Sequence, residues 1–308
     1  MILVTGASGL LGASVVSQAH ERGINVIGLY HRHPIHIEGV KLLAVDFADQ
    51  ADTCRIFREF QPSSVVHCAA ATDVDKCEEH PDEAHRLNVT AAAAIAEITA
   101  RSGARLLYVS TDSVFDGKRG HYSETDTPAP LNVYATTKLQ GEREVARLNP
   151  AAITARVSLY GWNAQNKDSL AEWVLKRLTL GKAVPGFSDV FFCPALANDV
   201  AEVLLELVDQ NLSGIYHVVG SECISKYEFA RRVAAKFAFD PEQVFATRMA
   251  DAKLKALRPR DTSLNTAKVC DALGRSMPDV DAGLRRFAEL RENGYADQLK
   301  NRLSGVHE

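Results

Sequence analysis

The N-terminal stretch constrains this chain more than any other. The apolar run Ile2-Leu3-Val4-Thr5 passes directly into Gly6-Ala7-Ser8-Gly9-Leu10-Leu11-Gly12, after which Val15, Val16 and Ala19 recur at helical spacing. Strand, glycine turn and helix in immediate succession predict the opening of a nucleotide-binding α/β sheet. Glycines at 6, 9 and 12 let the backbone turn sharply, approach a pyrophosphate and pack the helix closely on the sheet. The free N–H groups of the helix N-terminus face the anion. Ser8, Leu10 and Leu11, between and beside the glycines, join them as candidate cofactor contacts. The spacing is GxxGxxG rather than the GxGxxG of the classical dehydrogenase fingerprint.

The second strand, Asn25 to Tyr30, ends in His31-Arg32-His33-Pro34, with no Asp or Glu between Val26 and Pro34. An acid near this point would bond a ribose 2′-hydroxyl, whereas an arginine accommodates a 2′-phosphate. The expected cofactor is therefore NADP(H), with Arg32 on the phosphate and NAD(H) as the second candidate; the competing reading is a solvated basic loop. His31, His33 and His36 lack nearby Cys or carboxylate ligands, and no metal is expected. Lys41 to Val45 make a third strand that presents Asp46 and Phe47 to an adenine. A fourth, Val65 to Cys68, runs into Ala69-Ala70-Ala71, so Cys68, Ala69, Ala70 and Ala71 are candidates for close backbone approach to the cofactor. An alanine-rich helix from about Asp82 to Arg101 carries Asn88, and the strand Leu106 to Val109 delivers Ser110 and Thr111 at its C-terminal end, where open α/β sheets hold their ligands.

The chemistry is concentrated in Tyr134-Ala-Thr-Thr-Lys138. Positions i and i+4 are neighbours on a helix, and of the eight tyrosines only Tyr134 has a lysine four residues on. A free tyrosine has a pKa of about 10, and a fixed positive charge beside it favours the phenolate. Lys138 is expected to lower the Tyr134 pKa toward neutrality. Tyr134 follows Thr111 by 23 residues, which makes Thr111, Tyr134 and Lys138 a candidate proton-transfer set, with Tyr134 and Lys138 also touching the cofactor.

Strand and helix alternate as far as Ile153 to Val157, the sign of a doubly wound, Rossmann-type parallel sheet. The expected organisation is a cofactor domain over 1–160, completed by about 188–220, with a substrate lobe from about 161–187 and 221–308. Ser225-Lys226-Tyr227-Glu228 reads as a capping box, and Lys253, Lys255, Arg258 and Arg260 as either a solvated basic face or a diphosphate clamp. At a net charge of −4 there is no general basic surface for nucleic acid, and no apolar run approaches a membrane span. The six scattered cysteines, without a CxxC pair, read as reduced thiols, and with no signal-type N-terminus the expected location is cytoplasmic.

An ordered set of segments then resembles the extended short-chain dehydrogenase/reductases, and within them the dTDP-4-dehydrorhamnose reductase group. It comprises the glycine loop, Asp46-Phe47, Cys68 to Ala71 with Val74-Asp75-Lys76, Ser110 to Gly117, Leu131 to Glu142 and Arg258 to Leu264. The resemblance implies Thr111, Tyr134 and Lys138 as catalytic triad, a nucleotide-linked sugar held against the C-terminal lobe, and a homodimer formed through the helices from Asp82 and Tyr134. Ser113 stands where these reductases usually carry a tyrosine, and Leu159-Tyr160-Gly161-Trp162 differs from their Trp-Val-Tyr pattern. Ser113, Trp162 and Arg258 are accordingly the candidate substrate contacts, with a packing role the equal alternative for Trp162. The implied reaction is NADPH-dependent reduction of a 4-keto-6-deoxysugar nucleotide. One alternative keeps the fold but epimerises or dehydrates, against which stands the missing acid pair after Thr111. The other is a non-catalytic NADP-binding regulatory subunit resembling that of methionine adenosyltransferase.

Overall fold

In a computed structural model the described residues are 1–47, 49–165 and 167–304; the last residues of the expected substrate lobe, 305–308, lie outside them. Seven strands form the central sheet: β1 (Ile2–Thr5), β2 (Val26–Tyr30), β3 (Lys41–Ala44), β4 (Ser64–His67), β5 (Arg105–Thr111), β6 (Ile153–Val157) and β7 (Gly214–Val218). Their spatial order is β7-β6-β5-β4-β1-β2-β3, all parallel. Strands buried on both faces need apolar side chains throughout, and Leu3, Val4, Val65, Val66 and Leu107 are fully buried in the middle of the sheet. The order reverses between β1 and β4, so the crevice beyond Thr5 and His67 is the topological switch point where such sheets bind ligands.

The alanine-rich segment is three consecutive helical pieces, Pro81–His85, a π-helical turn Arg86–Thr90, and Ala91–Ser102. Its alanines allow close packing against the helix Val133–Leu148, which carries Tyr134. That helix starts cleanly because the Asn132 side chain accepts the Ala135 N–H at 2.9 Å.

Beyond β6 the chain builds a second layer from the helices Leu170–Thr179, Lys226–Lys236 and Val280–Glu292 and the parallel pair Val184–Phe187 with Val244–Thr247. The full capping box belongs to the first of these, between Ser169 and Glu172. At Ser225 only half of the expected box forms: Ser225 accepts the Glu228 N–H, while the Glu228 carboxylate turns to Arg232 at 3.0 Å. Two of the four residues of the basic cluster are tied down rather than free. Arg258 pairs with Asp75 at 2.9 Å and Lys255 with Glu79, so the segment is strapped onto the N-terminal lobe.

The expectation of six reduced thiols is overturned. Cys193 and Cys223 form a disulfide, leaving four free cysteines, Cys54, Cys68, Cys77 and Cys270. Antiparallel pairing of Phe192 with Ile224 sets the next two residues opposite each other with Cα atoms 4.1 Å apart. No helix among the described residues is long and apolar enough to cross a membrane. Thiol titration of the unfolded protein without reductant should give four reactive groups; six would contradict the Cys193–Cys223 bond.

Candidate functional site

The glycine loop is shaped by close approaches that a side chain would block. Gly6 has φ +66°, and a Cβ there would lie 2.7 Å from the Ala69 nitrogen; at Gly12 it would lie 2.1 Å from the Gly6 carbonyl oxygen. The helix Leu10–Glu21 begins at Gly9 with no side-chain cap and no acid in its first turn, which keeps its positive end available to an anion. A cavity of about 600 Å³ opens from this loop. Its walls bring together Gly6, Ser8, Gly9, Leu10, Leu11, Gly12, Arg32, Asp46, Phe47, Cys68, Ala69 and Ala70 with Thr111, Ser113, Tyr134 and Lys138. Residues far apart in sequence thus meet in one crevice across the C-terminal edge of the sheet.

At the adenosine end, Arg32 is 63% exposed, paired with Glu83 at 3.3 Å, and so mostly open to a ligand phosphate. Asp46 is engaged by Arg86, whose guanidinium donates to both carboxylate oxygens at 3.2 and 3.0 Å, with His31 at 3.7 Å. Ala71 does not line the cavity. It is held from behind by Asn88, which accepts the Ala71 N–H at 2.8 Å and donates to the Ala71 carbonyl and to Thr137 Oγ1 at 3.2 and 3.0 Å. Asn88 sits on the π-helical turn, a device common at functional sites. It clamps the alanine loop to the Tyr134 helix. The sequence named Asn88 without a role, because its partners lie on two other elements.

At the reactive end, Tyr134 and Thr111 share the cavity wall, and Thr111 Oγ1 donates to Asp112 at 3.1 Å. Lys138 is 2% exposed and donates to the Val109 carbonyl at 2.7 Å, with its ammonium 4.2 Å from the centre of the Tyr108 ring. The expected lowering of the Tyr134 pKa by Lys138 does not appear. Enclosure by the cavity walls pushes the phenol up to about 12, opposed by the neighbouring Thr111 hydroxyl. Burial also brings Lys138 down to about 7, opposed by the Glu142 carboxylate. Desolvation disfavours both charged forms and here outweighs the pairing.

Two candidate substrate residues lie elsewhere. Trp162 is in the core, stacked on Phe287 at 4.1 Å between ring centres, with its indole N–H donated to the Phe287 carbonyl at 2.9 Å. Arg258 is spent on Asp75 and the Ala256 carbonyl and does not line this cavity. A residue with a larger structural part than its sequence setting suggested is Glu142, one helical turn beyond Lys138. Its carboxylate accepts Ser110 Oγ at 2.5 Å and a two-pronged Arg156 at 2.9 and 2.7 Å, all buried. Among the described residues no cluster of three or more His, Cys, Asp or Glu is arranged to hold a metal.

Removing one partner of a buried ion pair leaves an uncompensated charge. Glu142→Gln should therefore lower unfolding free energy by about 3–5 kcal/mol in urea denaturation. Glu142→Gln combined with Arg156→Met should recover most of that loss. A double variant no more stable than the single one would contradict the assigned pairing.

Residues 1–292 match the family described as RmlD substrate binding domain. The chain is 35% identical over 285 residues to the probable low-salt glycan biosynthesis reductase Agl14 of Haloferax volcanii, covering 91% of this chain and 95% of that protein. It is 33% identical over 287 residues to methionine adenosyltransferase 2 subunit beta of Danio rerio, covering 90% and 85%. The crystal structure of dTDP-4-dehydrorhamnose reductase from Bacillus anthracis in complex with NADP superposes with a TM-score of 0.83 at 25% identity, covering 94% of this chain and 98% of that one. The chain therefore belongs to the RmlD substrate binding domain family.

Proposed function

We propose that the protein is an NADPH-dependent reductase of a nucleotide-linked 4-keto-6-deoxysugar. The observation that carries the reading is the convergence of Thr111, Tyr134 and Lys138 on the same cavity as the Gly6–Gly12 loop. The NADP-bound reductase fold and the glycan biosynthesis reductase among its relatives support it. Domain roles follow the same reading: residues 1–160 with 188–220 carry the cofactor, and the remainder carries the sugar nucleotide.

The residues present fit a nicotinamide dinucleotide. Gly6 and Gly12 leave the backbone bare where a pyrophosphate must approach, the uncapped helix meets its charge, and Arg32 is open to a 2′-phosphate. When bound, that cofactor supplies hydride to the carbonyl carbon. Tyr134 donates its phenolic proton to the carbonyl oxygen as negative charge develops there, and Thr111 hydrogen-bonds the same oxygen. A phenol held at about 12 keeps its proton at neutral pH, as a general acid for reduction requires. Lys138, when charged, stabilises the phenolate left behind and is placed to bond the cofactor ribose. Asn88 and Glu142 hold the loop and helix that set these positions.

A second reading is favoured by the methionine adenosyltransferase beta relatives: a protein that binds NADP and acts through a partner. The two separate on turnover. With dTDP-4-keto-6-deoxyhexose, loss of NADPH absorbance supports the reductase; tight NADPH binding without turnover on dTDP- or UDP-linked ketosugars supports the regulatory reading.

Tyr134→Phe should bind NADPH normally in fluorescence titration and lose about 10²- to 10⁴-fold in kcat; unchanged kcat would exclude the assignment. The pH dependence follows from the lysine. With its pKa lowered to about 7, Lys138 is charged below that pH and neutral above it. The kcat/KM for NADPH, which reports the free enzyme, should be level at acidic pH and fall as pH rises through about 7. In Lys138→Met this fall should vanish from the residual activity; its persistence would assign it to another group.

A further inference from the structure

Lys138 is a buried cation that makes no ion pair among the described residues. Its ammonium donates to the Val109 carbonyl at 2.7 Å and stands over the Tyr108 ring, 4.2 Å from its centre. The titratable groups that face it come from every element packed around it. His67 on β4 is neutral, since burial, helped by the Lys138 charge, takes the imidazole down to about 3. Cys68, the next residue, is a neutral thiol pushed up to about 12 by burial. On the lysine's own helix Tyr134 keeps its proton, and the Glu142 carboxylate is shared between Ser110 and the two-pronged Arg156 of β6. Tyr108 is the contribution of β5.

The Tyr108 ring is fixed where it stands. It is 1% exposed, and its hydroxyl donates to the Asn88 carbonyl at 3.5 Å. The hydroxyl fits because position 141 on the Tyr134 helix is glycine: a Cβ there would lie 2.4 Å from its oxygen. The His67 ring stacks on Tyr108 with 5.8 Å between centres and 20° between planes, and His67 Nδ1 is itself held by Thr5 Oγ1 at 2.7 Å. An aromatic face attracts a cation through its quadrupole, and the attraction grows when the pair is removed from water.

We infer that Tyr108 is a positioning residue for Lys138: its ring face and the Val109 carbonyl stand in for water around the buried ammonium and aim it into the cofactor crevice. This rests on the role given to Lys138 above and deepens it. A second carboxylate in this place would hold the ammonium by a directed ion pair and compete with the cofactor ribose for its protons. A ring face stabilises the charge and leaves those protons free to donate. The competing role for Tyr108 is that of an apolar wall, which would exclude water without attracting the charge.

The test is an NMR titration of the free full-length protein, isotopically labelled at the lysine ε carbon, with the Lys138 signal assigned by its loss in Lys138→Met. Tyr108→Phe keeps the ring, and fluorinated phenylalanines at the same position keep its shape while withdrawing electron density from its face. Lys138 should titrate near 7 in the native protein and in Tyr108→Phe. Its titration should then move down stepwise with fluorine content, by about one pH unit for the fully fluorinated ring. The singly fluorinated ring is close to isosteric and decides the direction if full fluorination disturbs packing. The fall in kcat/KM for NADPH should move to lower pH by the same amount. A Lys138 titration indifferent to fluorine content, or one that rises with it, overturns the inference and leaves Tyr108 an apolar wall. A titration that follows the ring in a protein that turns over no ketosugar sustains the inference and removes the reductase reading instead.

Discussion

The Glu142 carboxylate is the point on which the reactive end of the molecule depends. It is buried, accepts Ser110 from β5, and is held by the fully buried Arg156 from β6. Its helix carries Tyr134, Lys138 and Glu142 at four-residue intervals, so one face presents proton donor, cation and anchor in turn. Lys138 makes a second tie to the same strand through the Val109 carbonyl. Two adjacent strand residues, Val109 and Ser110, are thereby fastened to two adjacent turns of the helix, and Thr111 follows them onto the cavity wall it shares with Tyr134. A buried pair of this kind is not a large source of net stability. Its effect is to fix how strand and helix meet.

How much of this could be read from the sequence depended on whether the physics was local. The strand, glycine turn and helix at Ile2 to Ala19 are set by neighbouring residues, and the structure contains them as expected. The parallel doubly wound sheet followed from alternation of period and is likewise present. The pairing of Tyr134 with Lys138 on one helix was legible for the same reason. Their protonation was not, because burial depends on how β4, β5 and the Tyr134 helix close together. The expected effect of the charge had the right sign in isolation, yet desolvation, a tertiary quantity, dominates.

The other departures are also matters of register and packing. Cys193 and Cys223 carry no motif; they meet because Phe192 pairs with Ile224. Trp162 follows β6 as an aromatic substrate contact would, but the Val280–Glu292 helix offers Phe287 as a stacking partner and takes it into the core. Asn88 acts through a π-helical turn that composition does not announce. Arg258 is neutralised by Asp75, on the segment following β4. In each case the residue type was visible and the partner was not.

The proposed delivery of hydride and a proton from this crevice to a sugar carbonyl is open to an isotope-transfer experiment. Incubation with dTDP-4-keto-6-deoxyhexose and NADPH deuterated at the transferable position should place one deuterium on the former carbonyl carbon, with one NADPH consumed per product. Product formed without deuterium, or a rearranged sugar formed without net consumption of NADPH, would contradict it.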